Sequence, residues 1–424
     1  MDIIKNYGKY IKKNINDNPQ KSWDLICTGI AANKVKTNLI PSKKYSKGNQ
    51  KLEHLIMKMS TDAFYNLDKA VWCNIFAPVE IFQAFGLKAF SIETIAGFFS
   101  GMHCEDAFID YAQSEGVSPT LCSYHKGFIG AVDSKVIPKP KFAVTTSFAC
   151  DGNLNTFRYL AQKQNLDYTL LDIPFESDED AIKYVTIQLE NLVKELEIKC
   201  NKKMDLDYLK EIITIENETK QYLKEFLELK KDTYYPATMT TQLYLSIATH
   251  LYIGSKEVRD LFLFMKEDIK KYPKFNGTKI FWTHVLPFYQ ETLKDYFNTN
   301  ENYQIIASDI VLDYTEMLDP EKPLESLSRK MVKNMFNGPY KNKVNHIETL
   351  VKELNPDAVI NFCHWGCKQA SGGNMILKES MNKLNIPMLT LDGDAMDRRN
   401  SHDGQIKTRF EAFLELINEE NKLC

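Results

Sequence analysis

Short apolar runs rich in β-branched and aromatic residues alternate with helical patterns along most of this chain. AVWCNIF (70–76) predicts a strand, VEIFQAFG (79–86) a short helix that Gly86 is placed to end, and LKAFSIE (87–93) a second strand. The unit recurs. KFAVTTSFAC (141–150) predicts a strand closing on Cys150, CDGN a turn, NTFRYLAQKQN (155–165) a helix and DYTLLDIP (167–174) a strand. TKIFWTHVLP (278–287), FYQETLKDYFNT (288–299) and YQIIASDIVL (303–312) repeat strand, helix, strand. DAVINF (357–362), MILKESMNKL (375–384), PMLTLDG (387–393) and KTRFEAFLELINEENK (407–422) end the series as strand, helix, strand, helix. Strands separated by helices of about a dozen residues imply βαβ units and parallel sheets.

Two stretches depart from this rhythm. Residues 1–60 are polar and helix-prone. Further on, Ile182, Val185, Leu189, Leu192 and Leu196 are spaced 3, 4, 3 and 4, which is one apolar face of a helix, and 203–231 continues as helix. The predicted fold class is α/β, with two parallel-sheet domains, an N-terminal helical segment and a helical connection. The segment covers 1–60, the first domain with its helical extension 61–240, and the second domain 241–424.

Composition adds little beyond excluding some classes. Hydrophobic residues make up 44% and charged residues 26%, with a formal net charge of −3. That is globular composition, with neither the basic balance of a nucleic-acid groove nor a polybasic membrane surface. No apolar run approaches the ~20 residues of a membrane span, and MDIIKNYGKYIKKNINDN lacks the apolar core of a signal peptide. A cytoplasmic location is expected.

The nine cysteines change the picture, because a reducing compartment gives them no role in disulfides. No CxxC pair occurs, and Cys363 and Cys367 are the only close pair. Ligands at the carboxyl ends of strands are the rule in open α/β sheets. Cys150 ends a predicted strand, Cys363 and Cys367 follow another, and Cys122 lies in SPTLCSYHKG before a helix. Thiolates from both domains are thus placed to meet in one cleft, as for a metal cluster held between them. With only three such ligands, one iron of the cluster stays open to Lewis-acid chemistry.

Plainer readings stand beside this one. Free cysteine packs as a small hydrophobe, the reading kept for Cys27, Cys200 and Cys424, with Cys73 and Cys104 intermediate. Gly372 and Gly373 read as a permissive turn or, more weakly, a phosphate cradle. Asp392, Asp394 and Asp397 miss the spacing of a calcium-binding EF-hand.

From about residue 70 onward, FAPVEIFQAFGL, LCSYHKG, TTSFACDGN, HWGCKQASGG, LDGDAMDRR and GQIKTRFEAFLE occur in an order and spacing that resemble one family. It is the 2-hydroxyacyl-CoA dehydratase and benzoyl-CoA reductase family, and within it the alpha-type dehydratase subunit. The resemblance implies two Rossmann-like halves and a heterodimer with a homologous beta-type subunit. It implies a [4Fe–4S] cluster with three cysteine ligands and one open iron site. An ATP-dependent iron–sulfur activator protein would inject one electron. The (R)-2-hydroxyacyl-CoA substrate would lose water by a syn-type, reversible route through a ketyl radical, giving a 2-enoyl-CoA. The ligand positions carry over to Cys122, Cys150 and Cys367, with Cys363 as second choice. Glu93 in FSIETIAG falls close to where the family keeps a carboxylate near the substrate and is a candidate proton-transfer residue, its bland alternative being a solvated strand-end carboxylate. Glu80 matches a P-x-E motif without an assigned role. Around Cys367, the inferred roles are close backbone approach for Gly366, contact with the cluster for His364 and Trp365, and charge balance for Lys368.

This chemistry suits the substrate. Ordinary elimination would have to remove an unactivated C3 proton, and one added electron makes that proton far more acidic, a step that needs a cofactor. Three other readings stay open: an aryl-CoA reductase subunit, a non-catalytic electron-transfer partner, and a structural zinc protein. The acyl group and any accompanying flavin are left open by the sequence.

Overall fold

The computed structural model describes residues 2–423, with side chains to residue 417, so Cys424 lies outside the described residues. Two four-stranded, wholly parallel sheets form the scaffold. The first contains β1 (Ala70–Cys73), β2 (Lys88–Ser91), β3 (Phe142–Thr146) and β4 (Tyr168–Leu171). The second contains β5 (Thr278–Thr283), β6 (Tyr303–Ser308), β7 (Ala358–His364) and β8 (Met388–Gly393). Their orders, β2-β1-β3-β4 and β6-β5-β7-β8, are the same topology twice. In each sheet the chain leaves the first strand to one side and returns on the other. A crevice therefore opens at the carboxyl ends of β1 and β3, and another at those of β5 and β7.

Parallel strands covered on both faces must be apolar throughout. Accordingly, Ala70–Cys73 and Ala358–His364 are buried at every position, and Trp72 and Trp282 fill equivalent places in the central strands. Three helices, Ile3–Asn14, Pro19–Leu39 and Lys47–Tyr65, form the N-terminal segment. The long helices Glu179–Cys200 and Leu206–Lys230 lie between the sheets in sequence. The first packs on Pro323–Val332, the second on Val79–Phe85 and Lys256–Ile269, so the connection touches both halves. No described helix is long and apolar enough to cross a membrane.

Several boundaries differ from the sequence expectation. β3 stops at Thr146, so Cys150 does not end a strand; it is the N-cap of the helix Asp151–Gln164, which absorbs the CDGN expected as a turn. β2 stops at Ser91, whose side chain caps the next helix, and Glu93 thus lies in a helical first turn rather than at a strand end. β7 runs on through Cys363 and His364, because both are buried and their backbones pair with Asp392 and Gly393 of β8.

Candidate functional site

Three cysteines far apart in sequence meet in one cavity of about 280 Å³ at the carboxyl ends of the two sheets. Each is the residue immediately before a helical segment. Cys122 precedes Ser123–Asp133, Cys150 precedes Asp151–Gln164, and Cys367 precedes the single turn Lys368–Ser371. All three line the cavity, and backbone N–H groups of the first helical turns favour the anionic form of the sulfurs: Tyr124 for Cys122, Gly152 and Asn153 for Cys150, Gln369 and Ala370 for Cys367. Gly366 allows this convergence. It sits at φ +80°, and a Cβ there would meet the Cys122 nitrogen at 2.6 Å.

Each sulfur also has its own histidine. His364 Nε2 lies 3.1 Å from Cys122 Sγ, His125 Nε2 3.4 Å from Cys150 Sγ, and His284 Nε2 3.1 Å from Cys367 Sγ. Burial depresses all three imidazoles, His125 to about 4, so they are neutral at pH 7. The His364 tautomer follows from its other nitrogen. The Ala395 N–H donates to Nδ1 at 3.0 Å, which leaves the proton on Nε2 to be donated to the Cys122 sulfur. His284 adopts φ +72° and is held there by Asp309, whose carboxylate accepts its N–H at 2.6 Å and pairs at 3.1 Å with the fully buried Lys343.

Burial pushes the Cys150 thiol up to about 12, and the Cys122 and Cys367 thiols are raised as well. Left alone, all three are neutral; a bound cation inverts that balance and deprotonates them. A single metal ion needs donors converging to ~2.3 Å of one point. Among the described residues no three His, Cys, Asp or Glu groups do so, which removes support from the structural zinc reading. A cluster distributes its donors over separate irons, and three cavity-facing thiols with N–H donors around them fit that requirement.

The cavity also holds buried polar atoms without partners: Thr94 Oγ1, Tyr124 Oη, Asn153 Oδ1 and His284 Nδ1. Such atoms are rare in a folded interior and gather where a ligand completes them. Glu93 faces the same space. Burial raises its carboxyl to about 7, against the Ser91 hydroxyl that donates to Oε2 at 2.7 Å and the backbone N–H groups of Glu93 and Ile75.

Other predicted residues fall elsewhere. Cys363 does not line the cavity; its thiol donates to the Ala370 carbonyl at 3.3 Å. Trp365 is 47% exposed and Lys368 pairs with Asp151 at the surface, so neither reaches the site as expected. Cys27, Cys73 and Cys104 are core, and Cys200 packs half-buried against it. Gly373 is required by the Tyr340 ring, which a Cβ would strike at 2.1 Å. Asp392 pairs with Arg409, Asp397 with Arg399, and Asp394 accepts backbone N–H groups of Met396 and Asp397, so the three share no ion. Glu80 is buried and pairs at 2.6 Å with Lys330. Sequence reasoning missed Tyr124, His125 and His284. His125 is three residues after Cys122, and His284 directly follows β5, a strand-end position that could have marked it.

Residues 74–417 match the family model described as 2-hydroxyglutaryl-CoA dehydratase, D-component. The (R)-phenyllactyl-CoA dehydratase alpha subunit of Clostridium sporogenes is 21% identical over 378 residues, covering 82% of this chain and 90% of that protein. The (R)-2-hydroxyisocaproyl-CoA dehydratase alpha subunit of Clostridioides difficile is 22% identical, covering 83% and 91%. The lactoyl-CoA dehydratase subunit alpha of Anaerotignum propionicum is 21% identical, covering 82% and 90%.

Proposed function

The chain belongs to the 2-hydroxyglutaryl-CoA dehydratase D-component family, and from that premise we propose that it is the alpha-type subunit of an (R)-2-hydroxyacyl-CoA dehydratase. It is a hydro-lyase working with a homologous beta-type subunit. The substrate loses water reversibly through a ketyl radical and leaves as a 2-enoyl-CoA. The observation that carries this reading is the meeting of Cys122, Cys150 and Cys367 in a cavity that also holds Glu93 and four unpartnered polar atoms.

Those three thiolates would hold a [4Fe–4S] cluster, which when bound supplies one-electron and Lewis-acid chemistry after charging by an ATP-dependent activator protein. The chain's own groups do the rest. His125, His284 and His364 support the three sulfurs and fix their positions. Tyr124 Oη and Thr94 Oγ1 are free donors for substrate oxygens. Glu93, with a carboxyl raised to about 7, starts protonated over part of the neutral range. In a syn elimination the hydroxyl and the C3 proton leave from one face. A single carboxyl can therefore give its proton to the departing hydroxide and take the next from C3. Aromatic and aliphatic side chains form most of the remaining wall, a low-polarity surrounding for the reacting groups.

The test is iron and acid-labile sulfide per chain after strictly anaerobic purification. About four of each is expected, with Cys367→Ala losing iron while Cys363→Ala and Cys200→Ala keep it. Iron and sulfide absent after reconstitution with the beta-type subunit would sink the reading.

A further inference from the structure

Resting on the dehydratase reading, we infer that the acyl group handled here is bulky, apolar and uncharged: a branched aliphatic or aryl-bearing 2-hydroxyacyl chain. A single methyl or a carboxylate-ended chain does not suit the chamber. The cavity has two unlike sides. One carries the thiols and their histidines. The other is built from two helices and the loop after β5.

On the helix Ile92–Gly101, the residues Glu93, Gly97 and Gly101 follow at intervals of four and share one face, and all three line the cavity. A Cβ added at Gly97 or Gly101 would meet nothing within 4 Å. The helix thus presents a bare trough that runs on directly from the carboxyl of Glu93. The helix Met239–Leu251 contributes Thr240, Leu243, Tyr244 and Ile247, a spacing that puts them on one face, and Leu286 and Phe288 add to the wall.

Among the described residues no lysine or arginine lines this cavity, and Glu93 is its one carboxylate. A substrate carboxylate at the end of a glutaryl chain would lose its water with no cation in return, beside a group that carries negative charge when ionised. A lactoyl methyl would leave the trough and the facing side chains unfilled. Each further methylene buried tightens binding by about fourfold. An isohexanoyl or phenylpropanoyl chain is therefore favoured by the same wall that disfavours a glutaryl one.

Calorimetric titration of the full chain, purified anaerobically, with saturated thioesters that cannot react tests this apart from turnover. 3-Phenylpropionyl-CoA and 4-methylpentanoyl-CoA are expected to bind at least about tenfold tighter than propionyl-CoA, and glutaryl-CoA no tighter than propionyl-CoA. Gly97→Leu, which has room at that position, is expected to weaken the two bulky thioesters about tenfold or more while propionyl-CoA changes less than about threefold. Equal affinities, glutaryl-CoA binding tightest, or equal weakening of all four by Gly97→Leu would overturn the chamber assignment and leave the dehydratase reading standing. Failure of every thioester to bind would overturn both.

Discussion

At the scale of single residues, the proposed mechanism asks Glu93 to be both proton donor and proton acceptor, and burial raises its carboxyl to about 7. Glu93→Gln keeps the carboxyl's shape and loses its proton chemistry. Turnover should fall by roughly 10²-fold or more with iron content unchanged. In the unaltered enzyme, the protonated form starts the cycle, so kcat should decline as pH rises through about 7. Stability moves the same way. The folded chain binds this proton more tightly than the unfolded one, so stability present below about 4.5 is lost as pH rises through about 7. Thermal melts should find Glu93→Gln more stable than the parent at pH 8, by about 2 kcal/mol once its accessible face is allowed for, and no more stable at pH 4.5. His364 offers a different readout. Its Nε2–H withdraws charge from the Cys122 sulfur. His364→Leu should lower the midpoint potential on the order of tens of millivolts in a redox titration, with iron retained. Cys122, Cys150 and Glu93 could be picked from sequence because their motifs are local. His364 was named with Cys367 for the same reason, whereas His125 and His284 were missed, because each pairs with a cysteine 25 or 83 residues away in the chain.

At the scale of elements, helices are joined by buried charge. Lys330, on the helix Pro323–Val332, reaches Glu80 at 2.6 Å and Glu216 at 2.8 Å, and Glu216 also meets Lys220 at 2.9 Å. Glu216, between two lysines, stays ionised, whereas burial pushes Glu80 up to about 7. Lys330→Met leaves Glu80 buried with no cation, next to Glu216, which keeps only Lys220. It should cost roughly 3–5 kcal/mol in chemical denaturation, and less at pH 5.5 than at pH 8, because Glu80 can then take a proton. Helices and strands of this kind were legible where their apolar pattern was long: every strand of both sheets was foreseen. Their ends were not. Propensity carries β-branched residues onward past Thr146, but the chain turns there to bring Cys150 to a helix start. Likewise Ile92 and Glu93 looked like strand, and Ser91, where β2 ends, caps the helix they begin.

For the whole molecule, the proposed ligands come from both sheets: Cys122 and Cys150 from the first half, Cys367 from the second. Whatever binds all three ties the halves together, and its binding energy adds to stability. Stripping the proposed cluster with air or chelator should lower Tm by several degrees. Amide hydrogen exchange should accelerate first in residues 119–125 and 361–374, while the sheet cores stay protected. The meeting of thiols from both halves was expected from their places near strand ends; the shared strand order was not legible, because it depends on crossovers that local pattern does not encode.

The repeated strand order has a consequence for how such a chain is made. β3 and β7 occupy equivalent places, and each is followed within a few residues by one of the proposed ligands. Neither half owns a full set. As the polypeptide leaves the ribosome, its first half can fold with two thiols on an unfinished rim. On the proposed ligand set, assembly of an inorganic core would wait until β7 and its loop have been translated and docked, which makes maturation an event that follows the folding of both halves.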